Sequence, residues 1–168
     1  GWIELQATDT HLCCARWVPE PGPVSNGILN PILQETVWQL EEYFDGKRTD
    51  FELPIQQEGT SFQQRVWEEL QQIPYGKQIS YQELARRAGN PKAYRVAGSA
   101  NGKNQIFIIV PCHRVVQSGG DIGGYAYGTE MKRFLLQLEE QNRKKKKNKS
   151  LLSFRDNLPY FKIETNNN

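Results

Sequence analysis

The chain has 168 residues, a net charge of +2, 11% aromatic residues and three cysteines. That length suits one domain or two small ones, and no apolar run approaches the roughly 20 residues a membrane helix needs. An odd cysteine count argues against a disulfide framework and for a reducing compartment, cytoplasm or nucleus. No secretory signal is visible, and a start at Gly1 in place of methionine leaves room for a preceding segment.

Trp2–Thr8 and His11–Val18 are candidate strands, followed by a Pro/Gly/Ser loop through Gly27. Asn30-Pro31 reads as an N-cap with proline at the first helical position. Leu33, Val37, Leu40 and Phe44 then keep helical spacing until Gly46, and Phe51–Ile55 returns as a short strand. A second unit opens at Gly59. Thr60 and Gln63 form a capping box, Phe62, Val66, Leu70 and Ile73 make one helical face, and Pro74 ends it. Ser80 and Glu83 form another such box before a short helix over Tyr81–Ala88. Gly89-Asn90-Pro91 breaks the chain, and a second short helix follows from Lys92 to Ala100. Two short helices across a glycine turn read as a helix-turn-helix, whose second helix meets DNA; the same pattern fits an αα-hairpin in an ordinary core. A glycine-rich stretch, Ser118–Gly128, precedes a last helix with Met131, Phe134, Leu135 and Leu138 inward. Beyond Glu139 the pattern fails. "RKKKKNK" (143–149) reads as a solvated tail rather than a binding arm, with apolar residues at Leu158–Ile163 able to dock.

The segment "IIVPCHRVV" (108–116) sets a thiol, a titratable ring and an arginine in a row at the end of an apolar run. A lone buried cysteine is usually inert, and burial raises its pKa unless a neighbour favours the thiolate. His113 can do so directly or through a water. Adjacent strand residues face opposite ways, so the pair needs the strand to have ended, and Pro111 marks that end.

Charge is uneven. Residues 1–57 carry 3 basic and 9 acidic side chains, residues 58–139 carry 10 and 7, and residues 140–168 carry 8 and 3. Between Lys77 and Arg114 Glu83 is the only acid. Such a zone suggests a polyanionic partner or an ordinary solvated face. His11, Cys13 and Cys14 invite a zinc reading, but adjacent cysteines and no further nearby ligand do not make a four-ligand site; half-buried strand thiols and no metal are expected.

With these residues in order, the chain resembles the O6-alkylguanine-DNA alkyltransferase family, the methylated-DNA–protein-cysteine methyltransferases. Pro111–Val115 matches its Pro-Cys-His-Arg-Val motif. "YFDG" (43–46), "GTSFQQRVW" (59–67), "IPYGKQISYQELA" (73–85), "AYRVAGSANGKN" (93–104), "GGYAYG" (123–128) and "KRFLLQLE" (132–139) stand around it in sequence. The resemblance implies an α+β fold: a ribonuclease-H-like small β-sheet domain (1–57), a winged-helix-like alkyl-acceptor domain with a helix-turn-helix (58–140) and a basic, flexible tail (141–168). It implies single-turnover, irreversible repair, in which O6-alkylguanine (and O4-alkylthymine) is flipped from double-stranded DNA and its alkyl group moves to Cys112. His113 is the implied base, acting through a water, Glu139 its orienting acid, and Asn104 the brace of the turn. Tyr81 rotates the nucleotide, Arg95 fills the vacated stack, and Val115 and Tyr125 wall the guanine. Ala93, Tyr94, Ser99, Tyr127 and Arg114 complete the implied substrate and DNA surface. No cofactor is implied, and the protein acts as a monomer without a membrane.

Two departures bear on the site. Gln105 replaces the family's usual proline, which loosens the expected Asn104 turn. Tyr127 stands where the family usually has a small residue, at the pocket lip. Asn101 lies within the family's range. Two other readings compete: a non-catalytic lesion sensor, which would lack the acceptor cysteine, and a cysteine hydrolase, which the adjacency of Cys112 and His113 fits poorly.

Overall fold

The structure is a computed structural model and describes residues 1–23, 30–148 and 162–167. The loop expected through Gly27 and the stretch Leu158–Ile163 fall partly outside these residues. The fold is α+β, in two compact units divided between Gln57 and Glu58, with the second ending at Asn148.

The first unit is built on two strands, β1 (Trp2–Ala7) and β2 (Leu12–Val18), antiparallel from Trp2↔Val18 to Ala7↔Leu12. Ile3 and Leu5 of β1 are fully buried, each worth ~1.5–3 kcal/mol relative to exposure. Glu4, between them, is buried against Arg16 at 2.9 Å. Helix α1 (Pro31–Phe44) begins as its residues dictate: Asn30 Oδ1 accepts from the Ile32 N–H at 2.7 Å and Pro31 takes the first helical position. It buries Leu33, Leu40 and Tyr43. The strand expected over Phe51–Ile55 is reduced to a bridge between Leu12 and Ile55. Gln39 explains why: its carboxamide takes both backbone groups of Glu52 (3.1 and 2.9 Å), supplying from a side chain what a neighbouring strand would supply.

The second unit packs three helices, α2 (Ser61–Gln71), α3 (Tyr81–Arg87) and α4 (Tyr94–Gly102), with a longer α5 (Thr129–Asn148). The Thr60–Gln63 capping box forms in both directions. At α3 only half of the expected box forms. Ser80 Oγ accepts from the Glu83 N–H at 3.1 Å, while the Glu83 carboxylate turns to Arg86 and Arg87. Two residues before α3, β3 (Ile79–Ser80), pair in parallel with β4 (Val115–Val116). This short ladder sets Tyr81, the first residue of α3, beside the chain that leaves Cys112.

The end of α5 differs from expectation. The helix runs on past Glu139 to Asn148 instead of dissolving into the basic tail. Lysine is a good helix former, Lys144 pairs with Glu140 one turn back at 2.8 Å, and Asn142 donates to the Tyr75 hydroxyl. Further on, β5 (Lys162–Asn167) pairs in parallel with β1, giving the first unit the strand order β2-β1-β5.

Candidate active site

The apolar run before Cys112 does not become a strand. Ile106–Val110 are all buried in consecutive turns, with Val110 N–H on the Ile106 carbonyl at 2.9 Å and Ile109 N–H on the Phe107 carbonyl at 2.8 Å. Burial is satisfied without extension, so tertiary packing overrides β-propensity. Ile108 adopts φ +70°, a left-handed conformation costing a branched residue about 1–2 kcal/mol. Asn104 holds that strain. Its Oδ1 accepts from the Ile106 N–H at 3.1 Å, and its Nδ2 donates to the carbonyls of Val110 at 2.8 Å and Ile106 at 3.3 Å. The turn is thus braced by the carboxamide, with Gln105 in place of proline.

Pro111 hands the chain to a single 3₁₀ turn, Cys112–Arg114. Its three residues per turn separate successive side chains by about 120°, not the 180° of a strand. Cys112 and His113 therefore need no strand end between them. Cys112 is 3% exposed, with Sγ 3.7 Å from the Tyr125 hydroxyl. Burial pushes the thiol pKa up; contacts with Asn104 and Tyr125 and the charge of Lys132 oppose it.

Behind the thiol the polar groups close on one another. His113 is fully buried, with Nε2 2.7 Å from Glu139 Oε1. Burial lowers the His113 pKa against the pull of Glu139, so the ring is neutral near neutral pH. With the carboxylate accepting at Nε2, the lone pair sits on Nδ1, which is buried and, among the described residues, has no hydrogen-bond partner. Glu139 also receives Arg114 Nε at 3.0 Å, Arg114 Nη2 at 2.9 Å and the Gly76 N–H at 3.1 Å. Burial alone would raise its pKa, but His113 and Arg114 outweigh it and hold the carboxyl well below the usual range.

Arg114, expected on the substrate and DNA surface, is 5% exposed and turned inward, its Nη1 on the Ile73 carbonyl at 2.7 Å. A guanidinium buried against a carboxylate, a backbone carbonyl and the Tyr75 ring is turned away from the surface where a phosphate would lie. Val115 is fully buried in β4, and neither it nor Ala93 nor Ser99 is among the residues that line the cavity in front of Cys112.

In front of Cys112 lies a cavity of about 660 Å³, lined among others by Tyr81, Arg95, Asn101, Asn104 and Tyr125. Tyr127 lines it too, its ring 4.9 Å from Phe107 and 5.6 Å from Tyr125. The first turn of α4 forms the rim. Tyr94 is 41% and Val96 58% exposed, and the Arg95 guanidinium lies 5.9 Å from the Tyr94 ring. Arg86 and Arg87 neutralise Glu83, holding its pKa at about 2.

Sequence reasoning missed Lys132 and Asn101. Lys132 is fully buried, Nζ 3.1 Å from the Gly124 carbonyl and 3.5 Å from the Tyr81 hydroxyl. Its signal was present, since Lys132, Leu135 and Glu139 fall at helical spacing on one stripe of α5. Asn101 Nδ2 donates to the Cys112 carbonyl at 3.2 Å; a single asparagine in a helix carried no such signal.

Residues 61–141 match the family described as 6-O-methylguanine DNA methyltransferase, DNA binding domain, and residues 1–57 match its ribonuclease-like domain. A methylated-DNA–protein-cysteine methyltransferase of Methanosarcina barkeri is 51% identical over 109 residues, covering 65% of this chain and 69% of the relative. The chain belongs to this methyltransferase family. A constitutive member from Bacillus subtilis is 49% identical over 117 residues, 69% of this chain and 71% of its own. Among solved structures, the Mycobacterium tuberculosis OGT in complex with DNA superposes with a TM-score of 0.73 at 38% identity, covering 84% of this chain and 94% of that one. The paired helices α3 and α4 lie within the matched DNA-binding domain.

Proposed function

We propose that this chain repairs DNA by taking an alkyl group from O6 of guanine, or O4 of thymine, onto Cys112. The observation that carries this reading is the placement of one thiol. Cys112 has a large cavity in front, a basic, partly aromatic helix end at its rim, and a buried base–acid pair behind.

The chemistry follows from that arrangement. His113 Nδ1 takes the thiol proton, directly or through a water, while Glu139 holds the ring in the tautomer that leaves Nδ1 free and stabilises the imidazolium formed. Arg114 fixes Glu139 as a carboxylate. The thiolate attacks the alkyl carbon, the S–C bond forms as the C–O6 bond breaks, and the bond's electron pair leaves with guanine. The product thioether has no route back, so each molecule acts once. A base within a duplex cannot reach Cys112, and extruding it costs a few kcal/mol of stacking. Arg95 stands at the rim to fill the place left, and Tyr81 and Tyr125 contact the base inside. The chain needs no cofactor for this step and acts as a monomer on double-stranded DNA.

Incubation with a duplex carrying one O6-methylguanine tests the reading by intact mass. One methyl increment is expected, with a plateau at one lesion repaired per chain. Repeated turnover, or lesion binding with no mass change, contradicts it; the latter is the behaviour of a lesion sensor.

A further inference from the structure

Asn142 and Arg143 of α5 fall just past the matched DNA-binding domain, yet they pack behind the relay. They stand three and four positions after Glu139, so all three share one face of the helix. What they hold is the turn Tyr75-Gly76. Asn142 is buried and donates from Nδ2 to the Tyr75 hydroxyl at 3.2 Å. The Tyr75 ring in turn lies 5.6 Å from the Arg114 guanidinium. Arg143 covers Gly76: a Cβ built there would come within 3.1 Å of the arginine Cδ and 3.4 Å of its Nε. Gly76 also holds φ +71°, which a side chain would strain. The N–H of this same glycine donates to Glu139 Oε2 at 3.1 Å.

The two oxygens of Glu139 have different duties. Oε1 meets His113 Nε2 at 2.7 Å, while Oε2 takes the Gly76 N–H together with Arg114 Nε. Fixing Oε2 fixes the plane of the carboxylate, and with it the direction in which Oε1 accepts. A second cavity, of about 220 Å³, has Gly76, Glu139 and Arg143 among its walls. Shortening Arg143 enlarges a space that the buried carboxylate already borders, and water there would compete with His113 for it.

We propose that Asn142 and Arg143 are positioning residues for alkyl transfer: they clamp the Tyr75-Gly76 turn onto Glu139 and so hold His113 in the tautomer whose Nδ1 is open to the thiol proton. This rests on the reading of Cys112 as acceptor. The clamp works at one remove, through the turn and the carboxylate, and leaves the reacting atoms to His113 and Cys112.

The chain carries two histidines, His11 and His113, so nitrogen NMR of the full chain labelled at histidine resolves the buried ring. The wild type should show His113 Nε2 protonated and Nδ1 unprotonated. Arg143→Ala is expected to move these signals toward a mixture of tautomers. It should also slow single-turnover methyl transfer from an O6-methylguanine duplex by about tenfold, the low end for a partner that orients a reacting group. Asn142→Ala should do both to a smaller degree. Arg143→Lys should keep the signals and the rate, because lysine retains the stem that covers Gly76. A residue that only supports the helix would lower the urea midpoint and leave the tautomer in place. Unmoved ring signals or an unchanged rate in Arg143→Ala would overturn the proposal, as would a lysine variant no better than alanine. Should Arg143→Ala not fold, Asn142→Ala carries the same two readouts. A wild type that never gains a methyl on Cys112 sinks the acceptor reading instead, and the ring signals still decide whether the clamp orients His113.

Discussion

Two regions of the second unit meet at Cys112, and they are built on opposite principles. Behind the thiol, His113, Arg114 and Glu139 are all at most 5% exposed and held by short bonds to one another and to the backbone of Gly76 and Ile73. In front, Tyr94, Arg95 and Val96 project from the first turn of α4 into solvent. A buried network has no solvent to replace a missing partner, so each member serves stability and chemistry together. An exposed rim loses only what it touches in a complex. Damage behind the thiol should therefore be large and indivisible, and damage in front modest and specific to substrate.

Arg114→Met gives the largest expected effect. It leaves Glu139 without its main counter-charge, and loss of one partner from a buried pair costs roughly 3–5 kcal/mol. Urea unfolding measures it; a cost under about 1 kcal/mol would put Arg114 in the class of surface pairs. Glu139→Gln comes next. The ring of His113 remains but loses its orienting carboxylate, so transfer should slow by roughly 10–100-fold without stopping. Single-turnover rates check this, and an unchanged rate would remove Glu139 from the relay. The same carboxyl predicts an acid limit to stability. Its folded pKa is depressed from 4.5, so its contribution is complete above that value and is lost as pH falls through the folded pKa.

In front of the thiol, Arg95→Ala should slow repair of duplex DNA about tenfold, a fraction of the few kcal/mol that base extrusion costs. It should leave attack on the free modified base unchanged. Equal losses on both substrates would contradict a role in opening the duplex. Tyr127→Gly should give the smallest effect. The ring is held between Phe107 and Tyr125 on the cavity wall, so its removal opens space that a methyl group does not need. O6-benzylguanine should react severalfold faster in this variant, a gain of about one kcal/mol or less, with the methyl rate unmoved. An unchanged or lower benzyl rate would show that Tyr127 stacks on the adduct instead.

Much of this was legible in the sequence where a local rule acted alone. Asn30-Pro31 and Thr60–Gln63 fixed helix starts through caps, and the paired helices after Ser80 announced the rim. The acceptor motif itself was readable because Pro111 and the adjacent thiol and ring have no ordinary core purpose. What escaped depended on partners distant in sequence. Arg114 looked like one more cation of a basic zone, and only Glu139, 25 residues on, turns it inward. The Ile106–Val110 run carried strand propensity, and only Asn104 reveals it as a strained turn. Lys132 was obscured by its own chemistry, because lysine on a helix reads as solvated until the stripe it shares with Leu135 and Glu139 is followed. By charge alone the lysines past Glu139 resemble a solvated tail, but their helix propensity and the Lys144–Glu140 pair carry α5 through them.

Alkyl transfer rests on one thiol among three. Cys13 and Cys14 are half-buried in β2, whereas Cys112 is buried and, among the described residues, the imidazole–carboxylate pair His113–Glu139 stands next to it in the chain. Peptide mapping after exposure to an O6-methylguanine duplex distinguishes them directly. The methyl group is expected on the Cys112 peptide alone, with Cys112→Ala binding the duplex as before and gaining no methyl. Methyl on Cys13 or Cys14, or lesion removal by the alanine variant, would contradict this.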